Sequence, residues 1–220
     1  MLEGVFVPTG TTKVLAEAVY SYVNKPGKLL DLGCGSGAVG ITLHKMGVVE
    51  APLYASDISE EAVGCTKKNA FSNDCTVIAK CGSLFDPWQN DRFDYIVDDV
   101  AGIAQEVAQN SPWYANVSCE SGADGTFLVC EIIREASNYL NPGGLFFFPA
   151  ISLSDCNAIL SAAHNNFSHV KQLSHTEWPL PKEMYVHLEM LERLKKQRFV
   201  DFIDKFGMVV CCTDIYVAYK

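Results

Sequence analysis

Residues 29–41 read LLDLGCGSGAVGI. An apolar run contains a carboxylate, Asp31, and glycines then fall at every second position, Gly33, Gly35 and Gly37, with Cys34 and Ser36 between them. Glycines this dense let a backbone turn sharply and approach a ligand with no Cβ in the way. A helix opening behind the turn would present free N–H groups. Further on, YASD ends in Asp57, a carboxylate able to accept from both hydroxyls of a ribose. Two cofactors carry such a diol, NAD and S-adenosylmethionine (SAM). Gly33, Gly35 and Ala38 come close to the dinucleotide pattern GxGxxG/A, so the glycines alone do not separate them. Asp31 does. A carboxylate at the turn repels a pyrophosphate and favours the ammonium end of SAM, directly or through water. A second acidic pair, Asp98-Asp99, closes RFDYIVDD. At a strand end such a group can orient an amine or take a proton from it.

The elements around these residues follow from periodicity. TTKVLAEAVYSYV (11–23) has apolar residues at helical spacing, and KLLDLG reads as a buried strand. AVGITLHKMG is a helix closed by Gly47, APLYASD a strand, and SEEAVGCTKKNAFS a helix with Ser59 as N-cap. CTVIAKCGS, RFDYIVDDV, LFFFPAI, HVKQLSHTEW and MVVCCTDIYVAYK read as further strands. Between them lie the helices GTFLVCEIIREASNYL, stopped by Asn141-Pro142-Gly143-Gly144, and SDCNAILSAAHNNF. Residues 181–206 read as one long or broken helical insertion before the last strand. The alternation predicts an α/β fold, a doubly wound, mostly parallel, seven-stranded sheet, with 1–220 as one domain. The glycine turn then sits at the carboxyl edge of the sheet, where such folds bind ligands.

Composition bounds the partners. The 220 residues are 49% hydrophobic and 20% charged, ordinary values for one globular core. There is no apolar stretch long enough to span a bilayer and no secretory signal, so a cytoplasmic protein without membrane contact is expected. Nine scattered cysteines lack metal-ligand spacing; they read as reduced core residues, with Cys211 and Cys212 on opposite strand faces, and no metal is expected. A net charge of −9 argues against bulk nucleic-acid binding. The one compact basic run, RLKKQR, reads as a solvated helix face. Met184, His187, Leu188, Leu191 and Leu194 form an apolar stripe, which reads as packing or as a lid or partner surface over 182–206.

LLDLGCGSGAVGI, YASDISEEAVGCTKKNA, GSLFDPWQNDRFDYIV and GADGTFLVCEIIREASNYLNPGGLF stand in the order and spacing of class I SAM-dependent methyltransferases. More narrowly they resemble the release-factor glutamine methyltransferase group, and GVFVPTGTTKVLAEAV resembles that group's N-terminal segment, which folds over the cofactor. The resemblance covers about residues 5–150 and implies a Rossmann-like methyltransferase fold. It also implies roles. Thr12 would lie near the methionine end, and Asp31, Gly33 and Gly35 would line the methionine side. Asp57 would take the ribose, and Ile58 would pack on adenine. Ser83 and Leu84 stand where the family usually has Asp-Leu at the adenine edge. Cys34, Gly37 and Asp98 are counted with the cofactor residues, and Asp99 and Asp98 as the catalytic pair. The family's Asn-Pro-Pro-Tyr is replaced here by Asp99-Val100-Ala101-Gly102, which removes its rigid turn and stacking wall. Trp113 and Tyr114 in NSPWYANV (110–117) either rebuild that wall or anchor a loop in the core. The expected function is methyl transfer from SAM to a protein side chain or a small molecule; the alternatives are a non-catalytic SAM- or partner-binding subunit and an NAD-dependent oxidoreductase.

Overall fold

The computed structural model describes residues 4–100, 102–115, 117 and 119–220; Ala101 of the altered acceptor motif and Asn116 of the following loop lie outside the described residues. The elements run α1 (Gly10–Tyr22), β1 (Leu29–Leu32), α2 (Ala38–Lys45), β2 (Leu53–Asp57), α3 (Glu60–Ser72), β3 (Val77–Cys81), β4 (Phe93–Asp98), α4 (Gln105–Asn110), α5 (Phe127–Ala136), β5 (Leu140–Ile151), α6 (Cys156–Asn166), β6 (His169–Pro179), α7 (Leu188–Lys196), β7 (Ile203–Lys205) and β8 (Met208–Tyr219). The sheet order is β3-β2-β1-β4-β5-β8-β6, with β7 paired to β8. The strands from β3 to β5 are parallel, while β8 runs antiparallel to β5, β6 and β7.

The apolar stretches of β1, β4 and β5 (Leu29-Leu30, Tyr95-Ile96-Val97 and Leu145–Phe148) are explained by cover on both faces. Leu30, Leu32, Ile96, Phe146 and Phe148 point to the side of α5 and α6, and their cluster takes in Val129, Ile133 and Ile159. Leu29, Tyr95, Val97 and Phe147 point to the other side, where they meet Leu15, Val19 and Ile41 of α1 and α2. Side chains alternate across a strand, so Asp31 falls on the α1–α2 side and Asp98 on the α5 side. Ser59 caps α3 as expected, its side chain accepting from the Ala62 N–H at 3.2 Å.

The C-terminal region departs from the expected helix over 181–206. A 3-10 turn at Lys182–His187 precedes α7, the helix ends before Arg198, which has φ +65°, and Ile203–Lys205 forms an eighth strand. Phe206 and Gly207, both with positive φ, turn β7 back onto β8. The apolar stripe is packing: Met184, Leu191 and Leu194 are buried in a third cluster with Val107 and Ala108 of α4 and with Cys211. His187 is half-buried beside this cluster, and the basic residues of α7 face outward or lie half-buried. A further departure is α4, a short helix after β4 in a segment that has no regular helical spacing.

Two consequences position the site. The chain winds β1-β2-β3 to one side and returns to place β4 on the other side of β1, so a switch point lies between β1 and β4. Leu32, Ser56 and Asp98 are level with one another there. Second, the pairing of β5 with β8 stops at Ile151↔Thr213, while β8 continues to Met208 alongside β6 and β7. That overhang raises a wall beyond the carboxyl edge.

Candidate functional site

The turn after β1 is built on backbone that only glycine adopts without strain. Gly33, Gly35 and Gly37 have φ of +67°, +53° and +77°. A Cβ on Gly33 would stand 2.3 Å from Val100 Cγ1, so the turn after β1 and the turn after β4 touch there. The Cys34 N–H donates to the Ser56 carbonyl at 2.9 Å, tying the loop to β2. Asp57 braces it further: one carboxylate oxygen accepts from the Gly35 N–H at 2.9 Å and the other from the Ser59 N–H at 3.0 Å. Each oxygen keeps a lone pair for a ligand.

Asp31 is 1% exposed, and its carboxylate accepts the Gly40 N–H of α2 at 2.9 Å. Burial lifts its pKa from 3.8 to about 8; the Gly40 bond opposes this, and the nearby Asp99, Asp57 and Asp98 add to it. The acid therefore takes a donor at the helix N-terminus that a phosphate would need.

The acidic pair at the end of β4 splits by face. Asp98, pushed to about 7 by burial, turns back to accept the Val100 N–H at 2.9 Å. It pins the turn that prolines would otherwise stiffen. Asp99 faces α1. Burial raises it to about 6, and the Thr12 side chain, within hydrogen-bonding reach, pulls it down. Thr12 itself accepts from the Thr9 N–H at 3.1 Å, which leaves its hydroxyl proton for Asp99.

These groups surround a cavity of about 510 Å³ at the switch point. Thr12, Asp31, Gly33, Cys34, Gly35, Asp57, Ile58, Ser83, Leu84 and Asp99 line it. Gly37 and Asp98 do not: a Cβ on Gly37 would meet Ile41 and Thr66, and Asp98 supports the Val100 turn. Ile58 is 75% exposed at the rim, an apolar surface suited to a flat ring. Phe6, Val100, Tyr114 and Glu120 also line the cavity; Tyr114 is one of the two loop aromatics expected either to rebuild the wall or to anchor in the core, and Glu120 carried no local signal of its own. Among the described lining residues the charged groups are Asp31, Asp57, Asp99 and Glu120, with no Lys, Arg or His. An acid-only wall favours a cationic ligand and disfavours a polyanion.

Tyr114 packs on Phe6 with ring centroids 5.0 Å apart, and Trp113 meets Trp178 edge-on at 5.8 Å. Burial, with Cys119 and Asp99 nearby, pushes the Tyr114 hydroxyl well above the usual phenol range. Away from the cavity, β6 and β8 bring His175, Cys212 and Asp214 together with ligand atoms within 4.8 Å of one another. The spacing of these residues along the chain hides that cluster, because pairing of adjacent strands creates it. The His175–Asp214 contact, 2.6 Å, already satisfies two of the three groups. All nine cysteines are free, and no helix of the described residues is long and apolar enough to cross a membrane.

A family model described as the methyltransferase small domain matches residues 3–177. A release factor glutamine methyltransferase of Geobacter sulfurreducens is 30% identical over 148 residues, covering 64% of this chain and 51% of that protein. A ribosomal protein L11 methyltransferase of Acetivibrio thermocellus is 29% identical over 126 residues, covering 57% of this chain and 38% of that protein. The chain thus spans about half the length, or less, of these relatives. Among solved structures, a Thermus thermophilus 16S rRNA methyltransferase in complex with AdoMet and guanosine superposes with a TM-score of 0.59 at 17% identity, over 97% of this chain and 44% of that one. A Geobacter metallireducens precorrin-6y methyltransferase gives 0.57 at 13% identity, over 98% and 94%. At these identities the superpositions establish the fold, which is the Rossmann-like methyltransferase fold expected from the strand–helix order.

Proposed function

The chain belongs to the methyltransferase small domain family, and on that premise we propose that it binds SAM in the acidic cavity and transfers the methyl group to an acceptor held beside Asp99. The observation that carries this reading is the acid-only wall built on a glycine turn. Asp31 already holds the Gly40 N–H, so a pyrophosphate would meet a carboxylate where it needs donors. SAM instead brings an ammonium and a sulfonium to that carboxylate. This argues against the NAD-dependent alternative.

The roles assigned to the residues are these. Asp31 faces the cationic methionine end, and Asp57, pre-positioned by two backbone N–H groups, takes the ribose hydroxyls. Ile58 and Leu84 flank the adenine, with Ser83 at its edge. When bound, SAM supplies an electrophilic methyl whose bond to sulfur breaks with the electron pair staying on sulfur. Asp99 orients the acceptor and takes its proton, and a pKa of about 6 suits a base near neutral pH. Thr12 holds Asp99 in place. The chain otherwise contributes proximity and alignment. The Val100 turn is pinned by Asp98 without prolines, and the Phe6–Tyr114 pair supplies aromatic surface on the cavity that holds Asp99. They support an active site over a subunit that only binds cofactor. Residues 1–220 are read as one catalytic domain, since β6, β7 and β8 join the same sheet.

The test is calorimetric titration with SAM, S-adenosylhomocysteine and NAD. Binding of the first two with no NAD binding is the expected result; NAD binding alone, or no binding by any of the three, overturns the reading.

A further inference from the structure

A second cavity of about 270 Å³ lies behind the first, and Phe6 and Tyr114 line both. Its walls come from the start of α1, from the 3-10 turn carrying Trp113, from the end of β5, and from the β6–β8 overhang that supplies Trp178 and Thr213. No charged side chain lines it among the described residues. Its polar side-chain groups are the hydroxyls of four threonines and Tyr114 and the indole N–H groups of Trp113 and Trp178; Thr213 accepts from the Trp178 indole N–H at 3.0 Å and lies 3.4 Å from the Thr11 hydroxyl.

Resting on the SAM reading above, we propose that this second cavity is the acceptor site and that the acceptor is a small, uncharged molecule with an aromatic or apolar body and one hydroxyl. Four observations lead there. The volume corresponds to roughly nine waters' share of liquid, room for a substituted ring and little more. A peptide segment brings an N–H and a C=O with every residue, and these would be buried here with few partners. An RNA brings a phosphate with every nucleotide, and among the described residues neither cavity offers a Lys or Arg to meet it. The aromatic walls suit a ring. With its body against Trp113 and Trp178, the acceptor directs its hydroxyl past the Phe6–Tyr114 pair, which borders both cavities, toward Asp99 in the first cavity. The oxygen lone pair attacks the methyl carbon, the carbon–sulfur bond breaks with its electron pair going to sulfur, and the hydroxyl proton passes to the Asp99 carboxylate.

The experiment loads the protein with S-adenosylhomocysteine at pH 7.5 and titrates three probes by calorimetry: 4-propylphenol, its anionic counterpart 4-propylbenzoate, and a glutamine-containing tripeptide. The phenol is expected to bind at least tenfold more tightly than either other probe. Thr11→Phe fills the second cavity without opening a void, and should weaken phenol binding at least tenfold while S-adenosylhomocysteine binding is kept. Trp113→Ala should weaken it as well. No phenol binding, phenol binding indifferent to Thr11→Phe, or equal binding of the benzoate or the tripeptide overturns the proposal. Failure of S-adenosylhomocysteine itself to bind is a separate result that removes the SAM reading first and this proposal with it.

Discussion

Asp31→Asn changes one charge at the centre of the acidic cavity and almost nothing in shape. The amide oxygen can go on accepting the Gly40 N–H, which Asp31 receives at 2.9 Å. In the folded protein Asp31 holds its proton to about pH 8, whereas the unfolded chain has lost it above about pH 4. The folded state therefore binds more protons than the unfolded state across that window. Stability falls as pH rises through it, and the fall is complete once the pH passes the folded value. Each pH unit costs about 1.4 kcal/mol, so Asp31 takes away on the order of 4 kcal/mol by pH 7. The asparagine variant escapes this loss and gives back about 1–3 kcal/mol if its amide N–H groups find no acceptor. The net expectation is a higher melting temperature than wild type at pH 7–8, by several degrees, with the two curves crossing between about pH 4.5 and 6 and the variant melting below wild type near pH 4. SAM binding should move the other way. Losing a charged partner costs about 1.5–3 kcal/mol, a drop of roughly 10- to 150-fold in affinity. Wild-type binding at pH 7 should also release a proton, visible as a heat that varies with buffer ionisation enthalpy, and the variant should lose that dependence. Scanning calorimetry from pH 4 to 8 and isothermal titration in two buffers measure both. A variant that melts below wild type at pH 8, or whose stability runs parallel to wild type across the window, would refute the account of Asp31.

Asp57→Ala removes two backbone hydrogen bonds as well as the proposed ribose contact, so it should lower the melting temperature and weaken SAM about 10- to 100-fold; unchanged affinity would place the ribose elsewhere. Asp99→Asn should cut methyl transfer by about 10²–10⁴-fold with SAM binding nearly intact, as for loss of a positioned base; activity retained in both Asp99→Asn and Asp99→Ala would remove Asp99 from the mechanism. Gly33→Ala should lower stability by about 1–2 kcal/mol from its left-handed backbone alone, and by more because its Cβ would meet Val100, whereas a Cβ on Gly35 meets no protein atom within 4 Å. Urea titration of both alanine variants checks this, with equal midpoints as the contrary result.

The chemistry closest to the sheet edge was legible in the chain because it is local. A strand, a tight glycine turn and a helix are consecutive, so Asp31, Gly33 and Gly35 must share one place once β1 and α2 form. Asp57 follows from the same logic one strand later. The strand–helix alternation likewise carries the parallel part of the sheet, since both faces of β1, β4 and β5 are buried and their apolar runs say so. What residue order left open depends on contacts between distant segments. Which acid of the pair reaches the cavity was settled when β4 set its pleat against β1: Asp99 turned to Thr12, and Asp98 to its own backbone. The helical pattern over 181–206 breaks because Arg198 ends α7 and Ile203–Lys205 finds a partner in β8, and a three-residue strand has no signal apart from that partner. The second cavity draws on segments from Phe6 to Thr213, and it exists because β8 overruns β5 and α1 closes the gap. Periodicity in a chain records which face of an element is buried; the shape of the space between elements is decided only when they pack.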